Sequence, residues 1–227
     1  MRLLPRSVFA AAACAVTLQA APAATWPSPA SDGHPFDAPN LAAPRPAQPL
    51  AAGPLPQSGH VVITEIMKDP AHVTDARGEW FEVWNAMPWR VNLEGWTISD
   101  ESGASHVIST GGSGLRLGPG QFAVIGNNSD PALNGGIQVD YVWSSFSLGN
   151  GADQILLTRP DGTLADRVAY DDGVLWPDAP GRSLSLRPGA WDVLSNDDPL
   201  NWCAASSPIS ATNPDRATPG RDNDVCP

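Results

Sequence analysis

Residues 78–85 read Gly-Glu-Trp-Phe-Glu-Val-Trp-Asn, and their character alternates with a period of two. Glu79, Phe81, Val83 and Asn85 fall on one side, and Trp80, Glu82 and Trp84 on the other. A β-strand explains this pattern and a helix does not. Phe81 and Val83 mark the core side. The opposite side carries an acid between two indoles. It is either an exposed apolar platform or a face covered by another part of the chain, and the apolar area of two tryptophans favours cover by the C-terminal tail through Trp191 or Trp202.

On the N-terminal side, Val61 to Met67 form a first strand ended by Asp69-Pro70, where proline removes a ladder donor. A loop from Ala71 to Arg77 leads into residues 78–85. On the C-terminal side, Val91 to Ser99 read as a third strand with Gly95 as a candidate bulge and Leu93, Trp96 and Ile98 as core residues. Short strands separated by turns follow at His106–Ser109, Leu115–Leu117 and Gln121–Gly126, with Ile137–Trp143 as a strand or edge segment. A hairpin, Gln154–Thr158 and Thr163–Tyr170, turns at Pro160-Asp161-Gly162, and Arg182 to Leu186 add a last strand. No run carries helical periodicity over three turns. Short strands at this spacing, with glycine and proline between them, indicate an all-β antiparallel sandwich or barrel.

The ends have a different composition. Arg2 and Arg6, an apolar run from Val8 to Leu18 and Ala21-Pro22-Ala23 make residues 1–23 a secretory signal by pattern. The run is too short to span a bilayer as a mature helix, and it continues past Cys14, which argues against lipidation there. Residues 24–59 are rich in proline and alanine, lack the large apolar residues a core needs, and read as an extended or disordered tether. The ordered domain is expected over 60–187, with 188–227 as an irregular tail packed on it. No second folded domain is expected, so a partner would be a separate molecule.

The chain of 227 residues has a net charge of −11, and removal of Arg2 and Arg6 with the signal takes it to −13. That sign disfavours nucleic acid and anionic lipid, and it suits cation binding or plain solubility. After cleavage only Cys203 and Cys226 remain, an even number in an exported chain, so a disulfide is expected between them.

There is no nucleophile elbow, and His72 and His106 lie in loops without an evident nucleophile. Zinc signatures of the HExxH or CxxC kind are absent. A divalent-metal-dependent hydrolase or nuclease would draw on Glu65, Asp69, Asp75 and Glu79 around Lys68, the single lysine. However, Glu65 and Lys68 fall on opposite faces of one strand. Calcium is the better inorganic candidate, with Asp69, Asp75 and Glu79 as its oxygen ligands around one loop, although acidic turn residues also close turns unaided. Nine tryptophans are many for this length. Trp80, Glu82, Trp84 and Trp89 form the candidate binding face for sugar rings or a protein chain.

The order of motifs resembles the lamin tail domain in the form found on exported bacterial proteins. The matching pieces are ITEI with DP, GEWFEVWN, VNLEGWTISD, LGPGQFAVI, LGNGADQILLTRPDGTLADRVAY, WP with GRSLSL, DPLNW and ATPGRDN, spanning Val61 to Asn223. GEWFEVWN with NLEGWTISD at this spacing is the specific part. The resemblance implies an immunoglobulin-like antiparallel β-sandwich, a domain that is not itself catalytic, and a role in binding a protein or polysaccharide in the envelope or extracellular space. A purely structural surface protein is the remaining alternative.

Overall fold

The computed structural model describes residues 61–227; the signal and tether expected over 1–59 lie outside them, as does His60. Twelve strands are present among the described residues. They are β1 (Val61–Met67), β2 (Trp80–Asn85), β3 (Val91–Asn92), β4 (Thr97–Ser99), β5 (Ser105–Val107), β6 (Arg116–Leu117), β7 (Phe122–Gly126), β8 (Tyr141–Val142), β9 (Asp153–Thr158), β10 (Leu164–Tyr170), β11 (Leu184–Leu186) and β12 (Trp202–Ala204). A six-stranded sheet runs β12-β11-β1-β2-β7-β8, a four-stranded sheet β10-β9-β4-β5, and β3 pairs with β6 in a two-stranded ribbon. This is the immunoglobulin-like β-sandwich that the sequence pattern and the resemblance imply.

The main core contains Ile63, Ile66, Phe81, Val83 and Ile125 of the six-stranded sheet together with Ile98, Ile155, Leu157 and Val168 of the four-stranded one. Alternation along β2 therefore places Phe81 and Val83 inward, as their spacing requires. The reverse face of the larger sheet is buried as well. Met67, Trp80 and Val124 form a second apolar cluster there with Ile137, Val139 and Ala217. Burial on both faces is why all seven residues of β1 are inaccessible and why its sequence lacks a polar stripe.

One irregularity in β1 governs everything on that reverse face. The β1–β2 register runs Ile63 opposite Val83, then Glu65 opposite Glu82 and Ile66 opposite Phe81, so Thr64 is an extra residue at a β-bulge. Strict alternation from Ile63 would point Glu65 into the core. The bulge turns Glu65 outward and lets Ile66 take the inward position.

Several sequence expectations need adjustment. Val91 to Ser99 is not one strand. Gly95 adopts φ +78°, a conformation that disfavours side chains with a Cβ, and the turn there carries the chain from the β3–β6 ribbon into the four-stranded sheet. Leu93, Trp96 and Ile98 are nevertheless all buried. Of Ile137–Trp143 only Tyr141–Val142 is strand, and it pairs with β7 in parallel, a departure from the antiparallel pattern. The loop after β1 closes with a single helical turn, Asp75–Gly78. The tail also contributes β12 to the edge of the larger sheet through pairing with β11.

Candidate functional site

At the N-terminal end of β2, Gly78 fits where a side chain would not: a Cβ there would lie 2.4 Å from Val73 Cγ2 and 2.9 Å from Pro70 Cγ. The loop that follows Asp69-Pro70 thus folds directly onto the start of β2. Glu79 turns inward and accepts from the amide of Leu148 at 3.1 Å. Burial raises its carboxyl to about 7, partly offset by that hydrogen bond. Asp75 accepts from Asn150 Nδ2 at 3.0 Å. Asp69 is raised by burial first and by the charge of Asp75 second. The charge of Asp75 thus acts on both Asp69 and Glu79, Asp75 and Glu79 serve separate partners, and no group of three or more His, Cys, Asp or Glu side chains among the described residues is arranged to hold a metal ion. Lys68 is buried against Asp178 at 2.7 Å and over the ring of Tyr170. Glu65, which a hydrolase would need beside it, points to the opposite face.

The candidate binding face divides in two. Trp80 is 2% exposed and Glu82 fully buried. They do not reach solvent, because the tail lies over them: Ala217 packs with Trp80, and Gly220 N donates to Glu82 Oε2 at 2.6 Å. Two tryptophan rings in this position have too much apolar area to stay in water. Trp84 is half-buried. Trp191 covers it, with ring centroids 5.1 Å apart. Trp202 does not take part; its ring meets Trp176 instead, at 5.4 Å.

What remains at the C-terminal end of β2 is an aromatic group. Phe122 lies opposite Trp84 in the β2–β7 register, and its ring meets Trp191 edge-on at 5.6 Å. Trp191 is held from behind by its Nε1–H, which donates to the carbonyl of Leu186 at 3.4 Å. Beyond the end of the strand, Asn85 organises the next turn. Its Nδ2 donates to the carbonyl of Trp89 at 2.8 Å and reaches those of Leu117 and Gly118 at 3.0 Å, while its Oδ1 accepts from Met87 N. That turn presents Trp89, 53% exposed. Phe122 carries no distinguishing mark in the sequence. Its partnership depends on the pairing of β2 with β7, which strand assignment alone does not give.

His106 is separate from this group. Its Nε2 contacts Tyr141 Oη at 2.7 Å and its Nδ1 accepts from the amide of Ser144 at 3.1 Å, and burial lowers its basicity. His72 is not among its partners.

The tail is clamped by the expected disulfide, Cys203 to Cys226, with Cα atoms 5.6 Å apart. No helix among the described residues is long and apolar enough to cross a membrane. Among curated proteins none matches the chain. The family model described as Lamin Tail Domain matches residues 54–172, more than half of the sequence and the stretch that holds β1 to β10. With its sandwich topology and this match, the chain belongs to the lamin tail domain family.

Proposed function

We propose that this protein is an exported, non-catalytic interaction module that binds a protein or polysaccharide in the envelope or the extracellular space. The contact face is the aromatic end of β2. The observation that carries the reading is the touching, partly exposed set Trp84, Trp191 and Phe122, with Trp89 displayed on the adjoining turn. Partly exposed rings in mutual contact present a rigid apolar surface whose ordering cost is already met by folding. Membership of a non-enzymatic immunoglobulin-like family supports this. The signal-like pattern of residues 1–23 and the disulfide support export.

The test is retention of envelope and culture-supernatant components of the source organism on the immobilised full chain, with calcium and with chelator. Retention that is lost in both Trp84→Ala and Trp89→Ala is expected. Loss in chelator as well would bring calcium into the interaction through Asp69 or Asp75. If nothing is retained under either condition, the recognition role fails and a purely structural surface role takes its place.

A further inference from the structure

Glu65 and Glu82 face each other across neighbouring strands, and both are fully buried. Side chains directly opposite in an antiparallel pair lie roughly 5 Å apart at Cβ. Among the described residues no cation bonds to either. Glu65 accepts from Ser183 Oγ at 2.6 Å and from Thr218 N at 2.9 Å, and its Oε1 lies 3.0 Å from Thr218 Oγ1. Glu82 accepts from Thr64 Oγ1 at 3.0 Å and from Gly220 N at 2.6 Å. Three of these five contacts, those of Thr218 N, Thr218 Oγ1 and Gly220 N, are made by the C-terminal segment from Ala205 to Cys226, which straps the reverse face of the larger sheet.

The hydrogen-bond inventory favours a proton here. Thr218 Oγ1 lies 3.0 Å from Glu65 Oε1 and 3.0 Å from Asn223 Oδ1. Asn223 cannot be turned round, because its Nδ2 donates to the carbonyls of Thr64 at 2.7 Å and Leu186 at 2.8 Å. A hydroxyl has one hydrogen and cannot donate to both oxygens. A proton on the pair removes the conflict: the Glu65 carboxyl donates to Thr218 Oγ1, and Thr218 donates onward to Asn223.

The surrounding charges reinforce this. Burial raises both carboxyls, Glu65 to about 7 and Glu82 to about 9, and the charge of Glu65 is the second cause of the rise at Glu82. Asp140 on the loop before β8 and Asp224 within the strap add further negative charge. Arg182 and Arg216 are turned to the carbonyls of Ala205 and Ser206, Arg221 and Asp222 are exposed, and Lys68 is committed to Asp178. Two adjacent buried carboxylates without a counter-cation do not both ionise.

We propose that the strap is a proton-gated cover: it stays closed while Glu65 and Glu82 hold a proton between them, and it opens when that proton passes to solvent. The Cys203–Cys226 bond limits the opening to a loop. Release of Thr218 and Gly220 uncovers Glu82 and the indole of Trp80, a second apolar surface at the end of β2 opposite the aromatic group. This gate is independent of what the aromatic face binds.

The experiment is amide hydrogen exchange of the oxidised full chain between about pH 6 and about pH 9.5, with rates normalised to those of an unstructured chain at each pH. Protection at Thr218 and Gly220 is expected to fall roughly tenfold or more across this range, beyond the smaller fall that lower global stability brings to amides of the β9–β10 hairpin. In the double variant Glu65→Gln, Glu82→Gln the fall is expected to vanish. A flat wild-type profile, a parallel fall in the hairpin, or an unchanged fall in the double variant would each overturn the proposal. If the double variant does not fold, the wild-type comparison of strap with hairpin still decides it.

Discussion

The backbone amide of Ile63 donates to the carboxyl group of Asp166 across 2.6 Å. Ile63 sits just before the bulge in β1, and β11 pairs with β1 only beyond it, at Glu65 and Ile66. The Ile63 amide is therefore served by a side chain of the other sheet. Asn196 joins the same site, donating to Asp166 Oδ2 at 2.8 Å and to the carbonyl of Ile63 at 3.3 Å. Asp166 thus links the bulge, the smaller sheet and the tail.

Removal of that carboxyl group leaves two buried donors without their acceptor. Asp166→Ala is expected to cost about 2 to 4 kcal/mol in denaturant unfolding. Asp166→Asn retains one acceptor oxygen and should cost clearly less. Equal losses in the two variants would show that the acceptor itself contributes little.

Stability should fall as pH rises. Burial raises Glu65 and Glu79 to about 7, Asp166 to about 8 and Glu82 to about 9. Unfolded, all four titrate near pH 4. Between that point and the folded values the native chain holds more protons than the unfolded one, so each unit of pH removes stability. The contribution is complete below about pH 4 and lost above about pH 9. Thermal melts from pH 5 to about 9.5 should show a steadily falling midpoint, and a rising midpoint would contradict the protonated burial of these acids.

Replacing both cysteines, Cys203→Ser with Cys226→Ser, opens a loop whose ends are 23 residues apart. The expected loss is about 3 kcal/mol, measured as a lower denaturant midpoint than that of the oxidised wild type. Proteolysis of the variant should begin within the strap. First cleavage in the β9–β10 hairpin would argue against the disulfide as the strap's clamp.

Gly78→Ala places a methyl group against Val73 and Pro70 and is expected to cost about 1 to 3 kcal/mol. Adding Val73→Ala should recover part of the loss and leave the part due to Pro70. If the second substitution makes matters worse, the close approach of this loop to β2 is not the cause.

Much of the fold was legible in local pattern. The strands around Phe81, Val124 and Val168 follow from alternation, and the breaks between them from glycine and proline, because both signals act within a few residues. The bulge at Thr64 was not legible, since Val-Val-Ile-Thr-Glu-Ile-Met reads as an unbroken strand whichever way Glu65 points. The aromatic group was visible only in part. Trp84 and Trp89 stand out in the sequence, whereas Phe122 joins them by cross-strand register and Trp191 by the path of the tail.

The sequence by itself determined that this is an all-β chain with its core on the Phe81 and Val83 side of β2, and that its two late cysteines form a pair. Spacing and residue type act locally, and the pairing needed only a count. Tertiary structure alone decided which indoles meet solvent and which carboxyls keep a proton. Burial of Trp80, Glu82 and Glu65 is set by a strap more than 130 residues away in the chain, and no local pattern encodes a contact made at that separation.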